Sequence, residues 1–320
     1  MRSNVLLALS HRNEKDLPAS VFAEFIHNQT QQQKVASLKA FPHTYEALKS
    51  AIQQQDYSSW PGHVWAHNLP PSAGPQELAL WQVFRYALTD LHQKLDVPHS
   101  NSTTNERTEW IRRVIPFLEA VHCNTTLLRI VWCEYPAWGS QAALLSERNY
   151  QAKRPKMWVG MGLDPGSNSE LMIMEASSNS RTKENATHSI DDSAKIIELC
   201  TNALKLELLK HKEAAYTTVN KKCVLGFHFI VDRITLTMTT LEDRRWKVVQ
   251  LRSAEIPMRW RERSKVLQVC ELVAAAYSTL LEQQELMERI CEEESGAIEV
   301  PEEERARQVL KKLSITACEP

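Results

Sequence analysis

The sequence predicts an α+β protein with an α/β core, and three observations carry that prediction. Two apolar runs, "WVGMGLD" (158–164) and "ELMIMEASS" (170–178), flank "PGSNS", a turn composition. Three more strand-like runs follow closely: "CVLGFHFIV", "RITLTMTTL" and "RRWKVVQLRSAEI". Around them lie long stretches whose apolar residues recur at three and four, the helical period.

Taken in order, residues 1–96 read as a helical N-terminal region, interrupted near Pro42. "WPGHVWAHNLPPSAGP" (60–75) reads as a loop, because its Pro and Gly residues break regular structure. "QELALWQVFRYALTDLHQKL" is an amphipathic helix bracketed by Pro75 and Pro98. The polar stretch 97–106 is the expected linker to a core spanning 107–257.

That core opens with the helix "RTEWIRRVIPFLEAVHC", with a kink expected at Pro116. "LLRIVWCEY" (127–135) reads as a short strand, followed by the two strands around "PGSNS". A helix of about twenty residues begins at Asp192 or Ser193, whose side chain caps it. "CVLGFHFIV" is apolar enough for a strand buried on both faces. "RITLTMTTL" alternates, with Ile234, Leu236 and Met238 on one face and threonines on the other. Strands this close together pair antiparallel, as a meander. Residues 258–320 hold a long amphipathic helix, 263–294, and an acidic tail. A helix of that length is also a candidate for pairing with a second copy of the chain.

Composition narrows the function classes. The formal net charge is −1, with 38 basic and 39 acidic side chains, so the global basic excess of a nucleic-acid binder is missing. Only 8 of 320 residues are glycine, and neither a P-loop nor a G-x-G-x-x-G stretch occurs. Seven scattered cysteines without C-x-x-C spacing read as reduced thiols of an intracellular protein, cytoplasmic or nuclear. "VLLAL" (5–9) is too short for a secretory signal, and no apolar run has membrane-spanning length.

The order helix, strand, strand, helix, strand over 107–231 resembles the core of the PD-(D/E)XK superfamily, the restriction-endonuclease-like fold. It is similar above all to uncharacterised, degenerate nuclease-like proteins of mucoralean fungi. The matching pieces are "NERTEWIRRVIPFLEAV", "KMWVGMGLD", "LMIMEAS", "DDSAKIIELC" and "VLGFHFIVDRITLTMTTL". In active members, carboxylates hold Mg²⁺ or Mn²⁺, and a lysine beside the metal stabilises developing charge. The resemblance implies Glu175 as the second-strand acid and Asp164 as the nearest candidate for the first. An alternative alignment puts the first acid at Gly160, which offers no ligand. Glu109 is the acid that the first helix sometimes supplies, and Ser177 occupies the lysine position. Lys195 is the candidate for a lysine borrowed from the next helix.

Each of these residues also has a plainer reading. Glu175 ends a strand and faces solvent, Asp164 opens a turn before Pro165-Gly166, and Lys195 is a solvated side chain. "HSIDD" (188–192) reads as loop polar groups and a helix cap, and also as a metal cluster. Arg259, Trp260 and Arg261, with Arg244 and Arg245, form the candidate phosphate-contacting surface, Trp260 stacking on bases. The expectation is therefore a catalytically inactive nuclease-like domain that binds an unknown protein partner and needs no cofactor. Two alternatives stay open: a Mg²⁺- or Mn²⁺-dependent nuclease with a relocated lysine, and a helical assembly protein.

Overall fold

The computed structural model describes residues 5–9, 17–96, 106–136, 157–177 and 186–312. The expected linker lies outside the described residues except for Glu106. The described residues build one mixed sheet of seven strands between two helical layers.

The strands are β1 (Val5–Ala8), β2 (Arg129–Pro136), β3 (Met157–Leu163), β4 (Glu170–Ser177), β5 (Val224–Ile230), β6 (Arg233–Glu242) and β7 (Arg245–Glu255). They lie in the order β1-β7-β6-β5-β4-β3-β2. Consecutive strands β2–β3–β4 and β5–β6–β7 form two antiparallel meanders. The meanders join through parallel β4 and β5, a pairing that needs a crossover. That crossover is α8 (Ala186–Lys210).

The N-terminal region contributes more than helices. "VLLA" adds to the far edge as β1, parallel to β7, with Leu7 opposite Val248. The remaining N-terminal elements are α1 (Ala19–Gln33), α2 (Ala36–Lys39), α3 (Pro42–Gln53), α4 (Trp60–Ala66) and α5 (Pro75–Lys94). Helix α4 occupies part of the stretch expected to be a loop. Pro61 falls in its first turn, where a missing N–H costs nothing. The same logic places Pro116: the chain turns at Val114 between α6 (Glu106–Arg113) and α7 (Ile115–Asn124), and Pro116 starts α7 rather than kinking one helix.

One face of the sheet is covered by α2–α7 and by α10 (Val266–Glu294), which share a single hydrophobic cluster with β4–β7. Trp60, Trp81, Phe84, Trp110 and Phe117 are its largest fully buried members. The expected regions 1–96, 107–257 and 258–320 all contribute to this cluster. The other face is covered by α8 and by α11 (Ala306–Lys312), the short helix that follows α9 (Tyr216–Val219) and α10 in the chain.

Two expectations change with the packing. The first half of the apolar stripe of α10 is consumed inside the chain: Val269, Cys270, Val273, Tyr277 and Leu280 are all buried, whereas Leu281 and Met287 are half-buried and Cys291 is exposed. The alternation of β6 marks a half-buried strand, yet its threonine face lies under α8, leaving Thr237 and Thr239 buried.

A buried polar network locks the layers. The Glu271 carboxylate, fully buried on α10, accepts from Arg252 Nε on β7 (2.8 Å) and from the backbone N–H groups of Ser37 and Leu38 at α2. It neutralises the guanidinium and caps a helix start together. No helix among the described residues is long and apolar enough to cross a membrane.

Candidate functional site

The site is set by strand alternation. On β4, Met172, Met174 and Ala176 enter the large cluster, while Ile173 turns to the α8 side. Glu175 is in phase with Ile173 and therefore also faces α8. It is buried, not the solvent-facing strand end of the plainer reading. Across the parallel pair Glu175 stands opposite His228, also buried and on the same face.

Gly226 brings the helix down onto this pair. A Cβ at Gly226 would meet Thr237 Oγ1 at 2.6 Å and Ile196 Cγ2 at 2.9 Å, so only glycine admits α8 this close. Ser193 lies one turn before Ile196 on the same helical face, as His228 lies two residues beyond Gly226 on the same strand face. The two meet: Ser193 Oγ is 3.4 Å from His228 Nδ1. Lys195 is half-buried on this stretch of α8 and shares the layer with Glu175. Thr235 stands opposite His228, and Ser253 opposite Thr235, their hydroxyls 3.1 Å apart. Gln32 of α1 closes the row on the Ser253 backbone.

Asp164 is elsewhere. It ends β3 at the opposite end of the β3–β4 hairpin and opens a turn. Its Oδ1 accepts from the N–H groups of Gly166 and Ser167 and from the Ser167 hydroxyl. Its backbone pairs with Ser169, six residues before Glu175, a separation on the order of 20 Å along the strand. Asp164 and Glu175 therefore cannot grip one metal ion. The alternative first-acid position fares no better. A Cβ at Gly160 would meet the Trp132 ring at 2.7 Å, and Gly160 pairs with Met174, out of phase with Glu175.

Glu109 belongs to a different layer. Its helix α6 packs through Trp110 against Phe229, on the face away from α8. Its carboxylate accepts from Arg113 Nε at 2.6 Å, both residues buried, and Arg113 also reaches the Pro257 carbonyl. Among the described residues no three His, Cys, Asp or Glu side chains gather in a metal-binding group. The backbone of "HSIDD" is helical, because α8 starts at Ala186 and not at an Asp192 or Ser193 cap; the side chains of Ser177, His188, Asp191 and Asp192 lie outside the described set.

The expected basic surface does not form as one patch. Arg244 and Arg245 sit at the β6–β7 turn, whereas Arg259 and Arg261 follow the other end of β7, roughly 33 Å along the strand. Trp260 is engaged internally. Its ring meets Trp60 (5.2 Å) and Tyr57 (5.4 Å) edge-on, Nε1 donates to the Gln55 carbonyl, and Arg263 covers it at 4.8 Å. It is not free to stack on a base. Arg259 and Arg261 are exposed.

Sequence reading missed His228. Its signal was present, as the one ionisable side chain in the strand "VLGFHFI". Fold and site together define a mixed α+β protein whose described strands form a seven-stranded open sheet, with a Glu–His–Ser cluster beneath its crossover helix. No protein-family model, curated protein or solved structure matches the chain.

Proposed function

We propose that the chain is a nuclease-like α/β module that binds a protein partner rather than cleaving phosphodiesters, its metal-holding acids no longer assembled. The observation that carries this reading is the separation of Asp164 from Glu175. The first is bound up in its own turn and the second is buried under α8 beside a histidine. The chain path also supports it: helix (α6, α7), antiparallel strands (β2–β4), helix (α8), then β5 parallel to β4, in keeping with the core the resemblance implies. A protein partner is favoured over nucleic acid by the net charge of −1 and by the dispersal of the arginines. Fold likeness alone names no activity.

The competing reading is a metal-dependent nuclease using Lys195, which lies on the same side of the sheet as Glu175. Calorimetric titration of Mg²⁺ and Mn²⁺ into the protein and into Glu175→Ala, beside a cleavage assay on DNA and RNA oligonucleotides, separates the two. The expected result is no saturable binding and no cleavage in either protein. Saturable metal binding and cleavage, both lost in Glu175→Ala, would overturn the proposal.

A further inference from the structure

At the other end of the sheet from Glu175, a cleft of about 640 Å³ opens between the β6–β7 turn, α9 and α11. That volume lies within the range of small-molecule sites. Tyr216, Asn220 and Thr240 line it together with Val309, and Asp243 and Arg244 border it from the turn.

The turn carries an unusual residue for its shape. Asp243 and Arg244 both have left-handed backbones, φ 46° and 68°. A two-residue hairpin turn with positive φ at both positions favours glycine at the second. Here an arginine stands in that place, against its backbone preference, and its side chain borders the cleft.

The charges around the cleft are unequal in engagement. Lys247 is clasped by Glu24 (2.7 Å) and by Glu242, so its ammonium is fully engaged and the trio keeps a net charge of −1 beside the cleft. Asp243 and Arg244 are exposed, and among the described residues neither has an ion-pair or hydrogen-bond partner. The Tyr216 phenol is held above its ordinary range, by burial first and by the nearby Asp243 carboxylate second. One unengaged cation and one unengaged anion thus sit side by side at a cleft that also offers hydroxyl and amide groups. A purely anionic ligand would meet Asp243, and a purely cationic one would meet Arg244.

We infer that this cleft binds a small dipolar molecule of the α-amino-acid type, its carboxylate on Arg244 and its ammonium on Asp243. Tyr216 and Val309 border the space for the remainder of the ligand. The site is independent of Glu175 and of the binding role proposed above.

Saturation-transfer NMR with each common α-amino acid tests this, with acetate, inorganic phosphate and ethylamine as single-charge controls. Arg244→Gly and Asp243→Asn are the variants. Arg244→Gly relieves the left-handed backbone, so loss of folding does not confound its result. The expected result is binding of at least one amino acid, weakened about tenfold or more in each variant, with the single-charge controls much weaker. Three outcomes would overturn it: no amino acid binds the wild-type protein, binding survives both variants, or phosphate binds as well and depends on Arg244 alone.

Discussion

Glu175 and His228 stand opposite one another on parallel β4 and β5, both buried and both facing α8, with Ser193 of that helix 3.4 Å from the imidazole. The pair exists because β4 and β5 are parallel neighbours in register and because Gly226 lets α8 lie close. Asp164, only eleven positions before Glu175 in the chain, is excluded from it by the β3–β4 hairpin.

Gly160 is required by the Trp132 ring, not by chemistry. The indole is pinned by its Nε1 donation to Glu119 (2.5 Å) and cannot swing away cheaply from a new methyl group. Gly160→Ala should destabilise the protein by about 1–3 kcal/mol. Denaturant unfolding measures it; an unchanged midpoint would mean that the ring moves freely.

Glu271 closes the buried network between α10, β7 and α2. Glu271→Ala leaves the buried Arg252 without its carboxylate and uncaps the α2 N–H groups. The expected loss is about 3–5 kcal/mol, the usual penalty for a stranded buried charge. The double variant Glu271→Leu/Arg252→Met should recover part of that loss.

Glu207 makes the protein sensitive to acid. Burial pushes its carboxyl up, but His211 and Lys222 outweigh that and hold it down at about 2. Lys222 Nζ lies 3.3 Å from its carboxylate. The unfolded value is about 4.3. A depressed folded value means stability that is present above the unfolded value and lost as pH falls through about 2. Glu207→Gln should therefore lower stability at pH 7 and flatten its decline between roughly pH 5 and 2. Parallel pH-dependent denaturation curves for the two proteins would contradict this assignment.

Val231 carries a cost in the β5–β6 turn. It is a β-branched residue at φ 60°, in a two-residue connection after the last pair, Ile230–Arg233. Left-handed backbone costs a non-glycine residue about 1–2 kcal/mol. Val231→Gly should raise stability on the order of 0.5–1 kcal/mol, a net gain after glycine's larger unfolded-state entropy. A lower melting temperature would show that the half-buried side chain matters more than the backbone.

What was legible in the sequence was local. Period-two alternation marked β6, the apolar run marked β5, the "PGSNS" turn marked the β3–β4 hairpin, and three–four spacing marked α5, α8 and α10. These signals come from neighbours a few residues apart, so a single window contains them. The turn reading of Asp164 was legible for the same reason, since its hydrogen-bond partners lie within three residues. Tertiary structure decided what each face meets. It placed "VLLA" beside β7, more than two hundred residues away in the chain, drew the first half of the α10 stripe into the core, and packed the half-buried Trp260 ring against Trp60 and Tyr57. It also brought Glu175, Ser193 and His228 together across 53 positions of sequence. Strand order and helix placement follow from how all the apolar faces are buried at once, a global condition that no single segment carries.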